Sequence, residues 1–124
     1  MTDESRFPPR VFGTGEDPDA RFSLANERTF LAWTRTALAL LAGAVAVHAP
    51  VIDLDGWVQT VASLWLLVAA GVAIGQAWWR WRATERALRM GLPLPGFGGP
   101  AVLAAVLGVL IVGVAVGVLV VAVR

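Results

Sequence analysis

From Ala101 to Val123 the chain carries no polar side chain. A helix of that length is roughly 35 Å long, enough to cross a hydrocarbon core of about 30 Å. In a soluble domain the helices keep apolar residues to one stripe, whereas a segment that is apolar all round needs lipid around it. Lipid offers the backbone no hydrogen bonds, so a spanning segment has to satisfy its own, which favours a helix. With 57% hydrophobic and 15% charged residues in 124, the rest of the chain follows suit. Trp57 to Trp79 is a second span, with tryptophans where aromatic side chains settle at the two bilayer interfaces. It continues as a polar helix to Met90, where Gly91 supplies a C-cap and Pro93 and Pro95 forbid continuation.

The first span is less simple. A helical pattern begins at Asp19 or Ser23, either an N-cap by residue type, and runs to about Ala49. Thr36 to Ala49 covers only roughly 21 Å, so the span has to reach back to about Phe30. Arg35 is thereby taken into the membrane. The fold class is all-α, a three-transmembrane-helix bundle with spans at about 30–49, 57–79 and 101–123. Residues 1–20, rich in Pro, Gly and scattered charge, read as a flexible cytosolic tail. Arginines crowd the first helix start and the connection after the second span, and the turn between spans one and two has none. The positive-inside bias therefore predicts a cytoplasmic N-terminus and a C-terminus outside.

Arg21, Arg28 and Arg35 are seven residues apart, which puts them on nearly one side of a helix, continued by Ala39, Ala42 and Ala46. An arginine at the bilayer centre costs about 2.5 to 3.5 kcal/mol and usually faces a bundle interior or a wet cavity. Two readings are open: the stripe faces such a cavity, or Arg35 snorkels to the headgroups. Arg82, Arg86 and Arg89 share a face of the second helix and read as a basic ridge, with Glu85 spaced to pair with Arg82 or Arg89. Glu27 is expected to neutralise a neighbouring arginine. Gly71/Gly75 and Gly113/Gly117 have the spacing of close helix contacts, a pattern that also arises by chance among 13 glycines.

Other chemistries are excluded or disfavoured. The chain has no cysteine, so disulfides and thiolate sites are out. All ten basic residues are arginine, which codon bias in a GC-rich bacterial genome explains. His48 stands alone, and the spans hold no paired carboxylates, no Ser/His/Asp set and no H-E-x-x-H. No enzymatic activity, cofactor, metal or nucleic-acid partner is expected.

The run Leu24-Ala25-Asn26-Glu27-Arg28-Thr29-Phe30-Leu31-Ala32-Trp33, followed by Thr34-Arg35-Thr36, closely resembles the signature of the YidH family of small bacterial inner-membrane proteins. The same three-helix domain recurs in the membrane part of the eukaryotic vacuolar transporter chaperone (VTC) complex. The resemblance continues at Trp81-Arg82 and covers about residues 20–124. It implies an oligomeric ring with basic residues lining a path for polyphosphate. The matching positions are Arg21, Arg28 and Arg82, with Glu27 as the motif glutamate; Arg35 matches bacterial relatives better than VTC subunits. The connection Leu94-Pro95-Gly96-Phe97-Gly98-Gly99-Pro100 departs from the VTC pattern by lacking charge, and polyphosphate synthesis is not expected without a polymerase domain.

Together these features predict a homo-oligomer in the bacterial inner membrane. Arg21, Arg28, Arg35, Arg82, Arg86 and Arg89 would attract phosphate-rich anions, and Glu27 and Glu85 would serve as ion-pairing groups. The alternatives are a scaffold that binds another protein through the basic ridge, and a module that binds anionic lipid.

Overall fold

The computed structural model describes residues 6–96 and 98–123. Four helices follow one another: α1 (Pro9–Phe12), α2 (Ala20–Ala46), α3 (Gly56–Met90) and α4 (Gly98–Val123). The last three are long and apolar enough to cross a membrane. The protein is all-helical among its described residues, as its hydropathy predicts.

Asp19 is the N-cap of α2, its carboxylate accepting from the backbone N–H of Arg21 at 2.9 Å. At the other end α2 stops at Ala46 rather than Ala49. Pro50 disfavours the helical region for the residue before it, and the chain tightens into turns, with His48 N–H bonding Val45 O and Ala49 N–H bonding Ala46 O. Gly91 caps α3 with φ +62°, its N–H reaching Ala87 O.

Helices α2 and α3 pack antiparallel through alanine. Ala37 on α2 packs against Ala73, the middle of the buried row Ala69, Ala73 and Ala77 on α3, which is at most 1% exposed, and buried Ala44 faces Ser63. Side chains this small bring the two backbones close, and dispersion contacts accumulate where lipid supplies no hydrophobic drive. The glycine pairs do not do this work: a Cβ built on Gly71, Gly75, Gly113 or Gly117 meets nothing within 4 Å. Ser63 Oγ donates to Ala44 O, and Asn26 Nδ2 donates to Trp81 O at 3.1 Å. These two bonds fix a register in which Arg28 is level with Trp79 and Arg35 is level with Val72. Arg35 therefore lies about 10 Å further along the bundle than the aromatic level of Trp79.

Helix α4 joins at one end only. Leu103 packs with Ala37 and Ala73, flanked by Trp33, Leu40 and Leu107. Trp65 Nε1 donates to Val106 O at 3.1 Å. Beyond Leu110 every described side chain of α4 is exposed.

The segment before α2, which composition reads as a mobile tail, folds back from residue 6 onto the polar end of α3. Phe7 stacks on Trp78 and Phe12 tilts against Trp81, with centroids 6.3 and 6.1 Å apart. Val11 is 2% exposed. Aromatic side chains bury large areas each, so a few contacts offset the ordering of a short strap. Gly15 makes the return possible. It has φ +68°, and a Cβ there would lie 2.1 Å from Arg89 O. Glu16 N–H donates to that same carbonyl at 3.1 Å. Gly15→Ala combines the clash with about 1–3 kcal/mol of backbone strain, so the strap is expected to detach. Tryptic cleavage after Arg10 then accelerates about tenfold or more, and an unchanged cleavage rate would contradict this account.

Candidate functional site

The arginine stripe of α2 lies opposite the face that packs inside the chain. Asn26, Ala37 and Ala44 are buried, whereas Arg21, Arg28 and Arg35 are exposed, together with Ala39, Ala42 and Ala46. At 100° per residue, Ala37 and Ala44 stand some 160° from the stripe. Among the described residues no helix covers the arginines, and they line neither the cavity beside Glu85 nor the cleft between α2 and α4.

The three arginines differ in how they are paired. Arg21 forks onto Asp19, with Nη2–Oδ2 at 2.8 Å and Nε–Oδ2 at 3.2 Å. That hydrogen-bonded guanidinium, then the Arg21 backbone N–H, holds the Asp19 carboxyl below the usual carboxylate range. Such a cap is fully charged above its ordinary pKa and loses its advantage only as the pH falls through the lowered one. Among the described residues no side chain pairs with Arg28 or Arg35.

The expected ridge on α3 is divided. Arg86 is exposed and Arg82 half-buried, but Arg89 turns inward, its side chain 3% exposed. Its guanidinium stands over the Phe12 ring at 4.8 Å, donates from Nη1 to Phe12 O at 3.2 Å and from Nη2 to Asp17 Oδ1 at 2.5 Å. Glu85, also buried, lies 4.0 Å from Arg89 Nε. The glutamate is thus beside Arg89, one of its two expected partners. Glu27 is exposed, makes no ion pair among the described residues, and lines a cavity.

Sequence reasoning gave Glu85 an ion-pairing role but passed over Asn26, the motif residue that Glu85 ties to α3. Glu85 accepts from Ser23 Oγ at 2.8 Å and from Asn26 Nδ2 at 3.2 Å. Asn26 of the motif is therefore a fastener between α2 and α3, not a ligand-facing residue. Its signal was available: a polar residue at the angular position of Trp33, Ala37 and Ala44 has to find a partner inside the bundle. Next to this network is a cavity of about 430 Å³, whose walls include Phe12, Asp17, Glu27, Trp81 and Arg89. A second, apolar cleft of about 340 Å³ lies between α2 and α4, lined by Trp33, Thr36, Leu103 and Leu107. Among the described residues no three of His, Asp and Glu converge as a metal site.

Residues 21–87 match the family model described as "Domain of unknown function (DUF202)". An uncharacterised protein of Mycobacterium tuberculosis (strain H37Rv) is 46% identical over 111 residues, covering 88% of each chain. Inner membrane protein YidH of Escherichia coli (strain K12) is 43% identical over 88 residues, or 69% of this chain and 76% of its own. No solved structure matches. The family match begins at the top of the arginine stripe and ends two residues before Arg89, so it takes in the stripe, Asn26 and Glu85 but leaves out the strap. With three membrane-length helices and these relatives, the chain belongs to the DUF202 family of membrane proteins, which includes YidH.

Proposed function

We propose that the protein is a self-associating subunit of the bacterial inner membrane that encloses, between copies, a cavity attracting phosphate-rich anions. The observation that carries this reading is Arg35: exposed, without a partner among the described residues, and level with Val72 deep in the apolar stretch of α3. Lipid is a costly surrounding for that guanidinium, and snorkelling lifts it only part of the way to the Trp79 level. The face it occupies is unused by its own chain and is continued by alanines, which let other helices approach. Copies that gather about this face remove the arginines from lipid and line a basic passage with Arg28 and Arg35.

Several clean electrostatic features favour anions. Arg21 is already held by Asp19, so Arg28 and Arg35 carry the uncompensated charge. Guanidinium groups bind phosphate in a bidentate manner and do not deprotonate. The resemblance of the motif to the VTC membrane domain supports polyphosphate-like chains as the class. Arginine asymmetry between the two connections supports a cytoplasmic N-terminus. The protein binds or conducts in this reading and catalyses nothing.

The chain has no cysteine, which makes the test direct. Ala39→Cys, on the exposed stripe, should crosslink copies to one another in membranes, and Arg28→Ala should weaken inorganic polyphosphate binding by about tenfold or more, the scale of a charge-assisted hydrogen bond. A protein that stays monomeric in native lipid, and binds polyphosphate equally with Arg28 removed, would end the proposal.

A further inference from the structure

Asp17 sits between two guanidinium groups. Its Oδ1 is 2.5 Å from Arg89 Nη2 and 3.9 Å from Arg6 Nη1. Both guanidiniums also stand over the same Phe12 ring, at 4.8 and 5.8 Å. Arg89 is buried, yet its Nε has no hydrogen-bond partner. Nε and Nη2 form one edge of a guanidinium, the edge that grips two oxygens of a carboxylate or phosphate at once. Here that edge is half used. Nη2 takes one Asp17 oxygen, and Nε is left with Glu85 at a loose 4.0 Å. Asp17 itself is 60% exposed at its side chain and belongs to the strap, which turns on Gly15 immediately before Glu16.

We propose that Arg89 forms a phosphate-binding site separate from the arginine stripe, and that Asp17 occupies it as a built-in competitor, so that a phosphate-bearing anion displaces Asp17 and frees the strap. A phosphate group brings more negative charge than one carboxylate and has enough oxygens to satisfy Nε and Nη2 together. Its arrival breaks the charged one of the three polar ties between the strap and Arg89, and opens the cavity walled by Phe12, Trp81 and Glu27. The stripe on α2 and this site are distinct: Ser23 and Glu27 border the cavity, and exposed Arg28 is not among its walls. The inference rests on the phosphate-rich ligand class proposed above, but not on a cavity between copies.

Strap position can be read as a distance between spin labels at Arg10→Cys and Leu92→Cys, both exposed, with labelled protein diluted in unlabelled protein in neutral-lipid nanodiscs. Asp17→Asn should raise the released fraction by about tenfold, and inorganic triphosphate should bring the wild-type chain to the same long, broad distances. Triphosphate should act identically in Arg28→Ala, which separates this site from the stripe. Nanodiscs containing phosphatidylglycerol, without triphosphate, decide whether a lipid headgroup supplies the phosphate: release there assigns the site to lipid, and release only by triphosphate assigns it to a soluble anion. An unmoved strap in Asp17→Asn overturns the competitor role. Release by sodium chloride at matched ionic strength, or loss of the triphosphate response in Arg28→Ala, overturns the separate site.

Discussion

Replacing Glu85 by alanine is expected to lower the stability of the α2–α3 pair by about 3 kcal/mol or more, the cost of removing one partner from a buried ionic group. The carboxylate is 3% exposed and serves Ser23, Asn26 and the neighbourhood of Arg89 at once. Alanine leaves a buried guanidinium with one fewer counter-charge and two donors without their acceptor. Glu85→Gln keeps an acceptor oxygen for Ser23 and should lose less than half as much. The measurement is the unfolding midpoint in a titration of mild detergent with SDS. Equal midpoints for Glu85→Ala and wild type would mean that this network fastens nothing.

Enlarging Ala73 is the second large effect. Ala73 is fully buried where α2, α3 and α4 meet, touching the cluster of Ala37 and Leu103. Leucine there has no room to occupy without parting the helices, and overpacking of this kind costs about 1–3 kcal/mol. Gly71→Ala, two residues away on a face with open space around it, should leave the same midpoint within about 0.5 kcal/mol. Reversal of that order would mean the glycine face, rather than the alanine face, holds the bundle together.

That contrast marks what can be read from such a chain and what cannot. Length and hydropathy suffice for the three spans, and capping chemistry suffices for Asp19 and Gly91, because these depend on local backbone needs. The facing of each helix is another matter. When α3 and α4 are apolar nearly all round, periodicity no longer points to an interior. Gly71 and Gly75 carry the familiar spacing and face outward, whereas Ala69, Ala73 and Ala77 carry an equal spacing and face in. On α2 the periodicity is informative, since three arginines and one asparagine break the apolar field. The shared face of Arg21, Arg28 and Arg35 and the buried face of Asn26 can both be found from it, but the exposure of the first depends on where α3 and α4 pack. Arg89 shares a helical face with Arg82 and Arg86, but its inward turn depends on Phe12 and Asp17, more than seventy positions earlier. Composition averaged over the first 20 residues hides those two side chains among prolines and glycines.

The one-ended attachment of α4 bears on how the chain is built. The α2–α3 hairpin pairs the buried side chains of Ser63 at one end and of Asn26 and Glu85 at the other within itself, while Arg89 takes its partners from the strap. Helix α4 contributes no polar side chain, and among the described residues it accepts a single side-chain bond, from Trp65 to Val106. The polar ties between α2 and α3 therefore do not depend on α4, whereas the Trp65 N–H finds its acceptor only once α4 has docked. Helix α4, apolar all round, needs no polar partner from the hairpin to sit in lipid and is held against it by the packing of Leu103 and Leu107.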